Sequence, residues 1–215
     1  MVLPDKIGVM TLPDVTLFPQ SMLPLYIFEP RYRRMLKESL ESHRLFCVAQ
    51  RKPETSRDIP AEVAGLGLIR ASVVHGNGTS HMILQGLTRV RLDKTLRYKP
   101  YRVNHIEVLK TPEEVDGNLD SNVRRLKDVV TERLDLGVAF PSSSGKEQLV
   151  KAKDILSYLN ALEDPGQVAD MVACSLLPDS GQRQVILETV ALEQRLNYLV
   201  AFLIAEIRRL RADMD

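Results

Sequence analysis

The spacing of apolar residues changes once along this chain, near Lys110, and that change constrains the fold more than any single motif. Before it, short runs rich in Val, Ile, Leu and Tyr fall between Pro and Gly signals, the pattern of strands joined by turns. After it, apolar residues recur at the helical period of about 3.6. Strand and helix periods cannot serve one continuous element, so the sequence predicts an α+β chain in two parts, β-rich over 1–112 and helical over 113–215.

In the first part the expected strands are Ile7–Leu12, Leu25–Phe28, Leu45–Gln50, Gly67–Val74, His81–Gln85, Arg89–Leu96 and Tyr101–Leu109. Gly76-Asn77-Gly78 predicts a hairpin with a two-residue turn, because Asn-Gly tolerates positive φ. Tyr101 and Val103 share one phase, Ile106 and Val108 the other, which predicts a β-bulge near Asn104–His105. Pro30–Ser42 reads as one inserted helix, with Pro in its first turn and Tyr32, Met35, Leu36 and Leu40 on its apolar stripe.

In the second part Val123, Leu126, Val130 and Leu134 form one helical face, and Leu149, Ala152, Ile155, Leu156 and Leu159 a second. Asp164-Pro165-Gly166-Gln167 reads as a helix start with Asp164 as cap. Pro178-Asp179-Ser180-Gly181 opens a short helix through Leu187. A last helix begins near Thr189 with Leu192, Leu196, Leu199, Leu203, Ile207 and Leu210 inward, as bundle core rather than a dimer zipper.

Composition narrows the function classes. The chain has 215 residues, 44% apolar and 27% charged, with a formal net charge of +1, so no global field draws it to nucleic acid, membrane or acidic substrates. Cys47 and Cys174 sit far apart in apolar runs, which predicts buried small hydrophobes in a reducing compartment. The first residues do not pattern as a secretory leader, and no apolar run nears the ~20 residues of a membrane span. A soluble, cytoplasmic protein is expected.

Reactive groups do not assemble in the sequence. His43, His75, His81 and His105 lie in no HExxH string. His75 and His81 flank the expected hairpin and could be cross-strand neighbours, but two ligands without a third make a poor metal site. Ser142 to Ser144 precede Lys146 in a loop, and proximity there does not activate a hydroxyl. Ser144-Gly145-Lys146-Glu147 lacks the earlier Gly and the Ser or Thr after Lys that a phosphate-binding loop requires. No catalytic residue, metal or cofactor is expected. Arg89, Arg91 and Arg102 belong to a basic cluster that could track a phosphate backbone, with only Tyr98 and Tyr101 near for stacking.

The segment from Leu12 to Met35, LPDVTLFPQSMLPLYIFEPRYRRM, carries four prolines between apolar anchors, so its strands must be short or at an edge. Glu29 and Arg31 could pair with each other where the helix starts. This run resembles the opening signature of the Lon protease N-terminal, or substrate-binding, domain family. The likeness continues through Val48–Lys52, through GLGLIRASV (65–73), through MILQGLTRVRL (82–92) with Gly86 and Arg89 matching, and through the helices from Glu163 to Leu210.

The resemblance implies a PUA-like β pseudo-barrel followed by a helical bundle, recognition of unfolded or exposed polypeptide, and self-association. In a full Lon enzyme a P-loop ATPase and a Ser–Lys peptidase follow. This chain reaches Asp215 without either, so the expectation is a stand-alone, non-catalytic module. Its expected contacts are Phe18, Met22, Leu23, Tyr26, Phe28, Glu29, Arg31, Tyr32 and Arg89, beside the groove between barrel and helices. Expected partners are polypeptide segments, with a second copy of the chain and a separate ATPase–peptidase as further candidates. An RNA-associated PUA-like module and a small-ligand regulatory domain are the alternatives.

Overall fold

A computed structural model of the chain describes residues 3–53, 55, 58–112, 118–136 and 152–213. The chain divides at the change of period into two units, Met1–Lys110 and Thr111–Asp215. The first contains β1 (Lys6–Leu12), β2 (Met22–Ile27), α1 (Pro30–Leu40), β3 (Leu45–Gln50), β4 (Val63–Val74), β5 (Ser80–Arg97) and β6 (Arg102–Val108). Strand order is β2-β5-β4-β3-β1-β6, and β5 also pairs with β6. Five strands therefore close on themselves, which removes their edges, and β2 hangs on β5 as the remaining edge strand. β1 and β3 run parallel, which requires the crossover that β2 and α1 supply.

Two apolar clusters fill this unit. Ile7, Val9, Leu45, Cys47, Ala49, Ala64, Leu66 and Val90 pack inside the closed sheet. Met10, Phe46, Val48, Ile69, Met82 and Leu84 face the other way and meet Leu17, Tyr32, Met35 and Leu36. All six residues of β3 are consequently buried, which explains why LFCVAQ has no polar alternation. The buried Tyr32 side chain ties α1 to the end of β1: its hydroxyl donates to the Thr11 carbonyl at 3.0 Å and accepts from the Thr11 N–H at 3.1 Å. Burial, first of all, raises its pKa above the usual phenol value.

The proline-rich segment packs its backbone directly against the sheet. Phe18-Pro19-Gln20-Ser21 is a turn in which Pro19 presets φ at the second position and Gln20 takes φ 63° at the third, a type II arrangement. Ser21 N–H donates to the Phe18 carbonyl at 3.2 Å, and the Ser21 hydroxyl donates to the same oxygen at 2.7 Å. The Leu17 and Phe18 carbonyls lie directly on the sheet. A Cβ at Gly65 would stand 2.1 Å from the Leu17 oxygen, and one at Gly86 1.9 Å from the Phe18 oxygen. Any side chain at either position is excluded unless backbone moves. Gln20 N–H to Gly86 O at 2.8 Å and Gly86 N–H to Ser21 O at 2.9 Å then lead the chain into β2.

Several expectations need correction. The separate strands His81–Gln85 and Arg89–Leu96 are one continuous strand, β5, whose two halves change partner from β2 to β6 around Gly86. β4 starts at Val63, earlier than Gly67, and β2 runs from Met22 rather than Leu25 despite holding Pro24. The irregularity opposite Asn104 lies in β5: Leu92, Thr95 and Arg97 face Ile106, Asn104 and Val103, so the extra residues belong to the partner strand. Asn104 is buried and its amide donates to the Asp93 carbonyl at 2.7 Å, which accounts for the phase slip read in β6. The hairpin is not a two-residue turn. Gly78 N–H donates to His75 O and His75 N–H to Thr79 O, both at 2.8 Å, with Gly78 at φ 78°, the three-residue loop closed by a glycine bulge.

The second unit contains α2 (Leu119–Asp135), α3 (Ala152–Ala161), α4 (Pro165–Leu176), α5 (Ser180–Glu188) and α6 (Leu192–Ala212). Asp164 caps α4, accepting from Gly166 N–H at 2.8 Å, and Asp179 caps α5, accepting from Gln182 N–H at 2.7 Å. Leu192, Leu196, Leu199, Leu203 and Ile207 are buried, and α6 packs on α2, α4 and α5, so this stripe serves the unit's own core. Two ion pairs are buried with it: Arg133 with Glu206 at 2.7 Å, and Arg195 with Asp170 at 3.1 Å. Cys174 is exposed on α4, contrary to the expected burial, because it points away from the face formed by Val168, Val172 and Leu176. Leu149 and the Ser142–Gly145 loop with Lys146 lie outside the described residues.

Two outcomes follow. Gly86→Ala drives a methyl into a backbone carbonyl and should cost about 3 kcal/mol in urea unfolding, the upper range for overpacking; a change below about 0.5 kcal/mol would mean that the Phe18 carbonyl is not seated there. Asp170→Ala leaves Arg195 buried without this partner and should cost about 3–5 kcal/mol by the same measurement.

Candidate functional site

β2 presents the clearest anomaly on the described surface. Its burial alternates, with Leu23 and Leu25 packed on the core while Met22 and Tyr26 are 55% and 49% exposed. The register extends that outward face across the sheet. Tyr26 stands opposite His81, and His81 opposite Val73; Pro24 stands opposite Ile83, and Ile83 opposite Ala71. Val73 and Ile83 are exposed as well, and Phe28, just past the strand, is 60% exposed. Met22, Tyr26, Phe28, Val73 and Ile83 therefore gather large apolar side chains in one neighbourhood, beyond the scattered exposure that needs no explanation.

The backbone edge of β2 is less inviting than its face. Hydrogen bonding alternates from the Gly86–Ser21 bond, so Leu23, Leu25 and Ile27 turn their backbone groups to β5, and Met22, Pro24 and Tyr26 turn theirs outward. Pro24 has no N–H, so the outward donor row is broken at its centre. Strand addition there would lose a bond in mid-ladder, whereas side-chain docking on the face loses nothing.

Aromatic contacts order the face. Tyr26 stacks on Phe28 with ring centroids 5.9 Å apart and lies 4.8 Å from the His81 ring. Next to them Tyr26, His75, Gly76, Asn77, Thr79 and His81 line an open recess. Asn77 Oδ1 accepts from Thr79 N–H at 3.0 Å and from the Thr79 hydroxyl at 2.7 Å, which stiffens the loop. The Arg33 side chain of α1 packs against Gly78, where a Cβ would stand 1.8 Å from its Nη2.

The structure separates the sequence-selected residues into three groups. Met22, Tyr26 and Phe28 are on the exposed face. Phe18 is fully buried, Tyr32 and Arg89 are buried, and Leu23 packs on the core, so these four support the site from beneath. The Arg89 guanidinium lies 5.9 Å from the Phe18 ring, within the seat of the proline-rich turn. Glu29 and Arg31 pair as expected at 2.8 Å, and Arg31 also reaches Asp58 at 2.5 Å while covering the Tyr32 ring at 4.4 Å. That arrangement braces the start of α1. Val73 and Ile83 were missed by sequence reasoning, which weighed His81 only as a cross-strand neighbour of His75. The unbroken apolar run Met82-Ile83-Leu84 carried the signal, since a strand with one wet face would alternate there.

The basic residues are engaged within the unit. Arg91 pairs with Glu107 at 2.8 Å. Arg102 donates to Thr95 Oγ1 at 3.2 Å and to the Asp58 carbonyl at 3.1 Å, and lies over the Tyr98 ring at 5.0 Å. Glu38 of α1 accepts from the Tyr101 hydroxyl and from Arg34 at 2.7 Å, and these hydrogen bonds, Tyr101 first, hold its carboxyl below the usual carboxylate range. Among the described residues no group of three or more His, Cys, Asp or Glu side chains could hold a metal ion, and no helix is long and apolar enough to cross a membrane.

Comparison with known proteins places these features in a family. The model of the ATP-dependent protease La (Lon) substrate-binding domain matches residues 6–205. The chain is 24% identical over 208 residues to a Lon protease of Dictyoglomus thermophilum, covering 95% of this chain and 25% of that protein. It spans about a quarter of the length of the curated relatives it matches. Among solved structures it is similar to the N-terminal domain of Lon protease from the Mycobacterium avium complex, with a TM-score of 0.71, 19% identity, and coverage of 92% of this chain and 97% of that one. A Lon N-terminal domain protein from Xanthomonas campestris gives a TM-score of 0.64 at 19% identity, covering 92% and 98%.

The Glu38 contacts generate a pH expectation. A carboxyl held below its unfolded pKa contributes stability that is present above the unfolded value and is lost as pH falls through the folded one. The effect is small because solvent screens the group. Tyr101→Phe should move the Glu38 titration, followed by carboxyl chemical shifts, upward towards the ordinary range; an unmoved midpoint would mean that the phenol does not hold it.

Proposed function

The chain belongs to the substrate-binding domain family of the ATP-dependent Lon protease, and from that premise we propose that it holds exposed stretches of other polypeptides on the outer face of β2, β5 and β4. The observation that carries this reading is the gathering of Met22, Tyr26, Phe28, Val73 and Ile83 on one face of the sheet. A segment docking there buries apolar side chains that a folded protein keeps inside. Covering about 400 Å² of apolar area gives roughly 10 kcal/mol at 25 cal/mol per Å². Ordering and immobilising the partner costs at least about 4 kcal/mol. The balance is weak to moderate affinity, which suits a surface that must let go of what it holds.

In this reading the chain does no chemistry itself. An ATPase–peptidase, on the same polypeptide or separate, receives the segment it holds, and the setting is cytoplasmic. Selectivity is for exposed apolar and aromatic side chains rather than for a sequence, because the face offers area and ring surfaces with few fixed donors. The intramolecular engagement of Arg91 and Arg102 and the burial of Arg89 weigh against the RNA-associated alternative.

Fluorescence anisotropy with a labelled, permanently unfolded polypeptide tests the proposal. The double substitution Tyr26→Ser and Phe28→Ser should weaken binding by about tenfold or more, equivalent to 1.4 kcal/mol, with little change in the melting temperature. Phe18→Ala should instead cost about 3–5 kcal/mol of stability, as for a large buried aromatic. Equal binding of a folded control, or undiminished binding by the double variant, would contradict the proposal. A steep fall of affinity with salt would point to a polyanion instead.

A further inference from the structure

β4 outruns the strand beside it. Its pairing with β3 ends where Leu45 stands opposite Leu68. One residue further, Ile69 N–H donates to the Arg44 carbonyl at 2.9 Å, and the Arg44 guanidinium donates to the Ile69 carbonyl at 3.1 Å. Arg44 has φ 59°, outside the extended region, so the line of β3 does not run on beside β4. From Ala71 to Val74, β4 therefore has β5 on one side and no described strand on the other.

The hairpin fixes which backbone groups face that open side. His75 N–H donates to Thr79 O at 2.8 Å, and bonding alternates along an antiparallel pair, so Val73 and Ala71 turn their groups to His81 and Ile83. β2 requires the same: Ile27 and Leu25 bind Ser80 and Met82, which leaves His81 and Ile83 for β4. The N–H and C=O groups of Ser72 and Val74 consequently point outward, and no described residue hydrogen-bonds to them.

This edge differs from that of β2. Pro24 interrupts the β2 donor row, whereas Ala71-Ser72-Val73-Val74 holds neither a proline nor a charge. Val73 and Val74 are 60% and 66% exposed, and β-branched side chains suit a pleated strand rather than a protected edge. The register shift at Arg70 ends the open stretch, so it admits only a short segment.

We propose that the open edge of β4 at Ser72 and Val74 takes up an extended polypeptide segment as an added strand, a mode of capture that rests on the polypeptide-holding role and fixes how the segment lies. Each of the two residues offers one donor and one acceptor, and every polypeptide carries matching groups except at proline. Side chains of an added strand alternate, and those on the side of Val73 extend the row Tyr26–His81–Val73 of the apolar face. The favoured substrate is an extended, proline-free stretch with apolar residues at every second position, the kind that a folded protein keeps inside its sheets. A helical segment has its backbone groups bonded internally and gains nothing from the edge.

The test uses the whole chain and a short labelled peptide of alternating apolar and polar residues, followed by fluorescence anisotropy. Ser72→Pro removes an outward N–H and sets a ring on the edge, as Pro24 does in β2, and should weaken binding by about tenfold or more. Ser72→Ala keeps the N–H and should bind as the unsubstituted chain does. Hydrogen exchange on the unsubstituted chain gives a second readout: peptide should slow the Ser72 and Val74 amides by about tenfold or more. Circular dichroism checks that Ser72→Pro folds; if it does not, the exchange measurement decides. Undiminished binding by a folded Ser72→Pro variant, or unprotected amides at saturating peptide, would overturn strand addition. The holding face would still stand if the Tyr26→Ser, Phe28→Ser double variant bound more weakly, and would fall with it if that variant also bound normally. Protection of both amides in the free chain that grows with protein concentration would assign the edge to a second copy, and would equally contradict capture of a substrate segment.

Discussion

The β unit depends on a backbone-to-backbone contact. The Leu17 and Phe18 carbonyls rest on Gly65 and Gly86, closer than any Cβ at those positions would permit. The contact is steric rather than strongly attractive, and its value lies in what it excludes. With the turn seated, Leu17 and Phe18 are fully buried, Ser21 joins Gly86, and the chain leaves in the direction that makes β2 an edge strand on β5. Raised by a methyl group, the turn would lift Phe18 out of its packing and release the start of β2.

That placement explains why so much apolar surface is tolerated outside. Leu23, Leu25 and Ile27 anchor β2 inward, so Met22 and Tyr26 have no choice but to face solvent. Pro24 breaks the donor row of the exposed edge, which suppresses pairing with other strands while leaving the side-chain face open. An exposed apolar face and a broken edge-pairing row are thus built into the same six residues. α1 is fixed by the Tyr32–Thr11 bonds and the Glu29–Arg31–Asp58 contacts, so the elements beneath the face are braced independently of anything that docks on it.

Much of the architecture was legible because periodicity is a direct record of burial. The change from strands to helices, the α1 stripe, the Asp164 cap and the α6 core stripe all read correctly from spacing and local motif. The errors arose where long-range packing overrules local pattern. Gly86 looked like a break between strands, yet it is a glycine required by a turn packed on it, within one strand of 18 residues. Asn104 disturbed the phase of β6 because the bulge sits in its partner. Of the residues selected for the site, Met22, Tyr26 and Phe28 are exposed, whereas Phe18, Tyr32 and Arg89 are buried: sequence identifies a segment under constraint but does not separate the residues that make the surface from those that hold it up. Val73 and Ile83 join only through register, which no local window contains.

Where an unfolded chain touches this protein is the question on which the functional reading turns. Amide chemical-shift mapping, with an unlabelled unfolded polypeptide titrated into the isotope-labelled chain, addresses it residue by residue. Shifts confined to Met22–Phe28, Ala71–Val73 and His81–Ile83 are the expected result. Shifts concentrated on the helical unit, or none at saturating polypeptide, would contradict the idea that the glycine-seated turn exists to present a holding face.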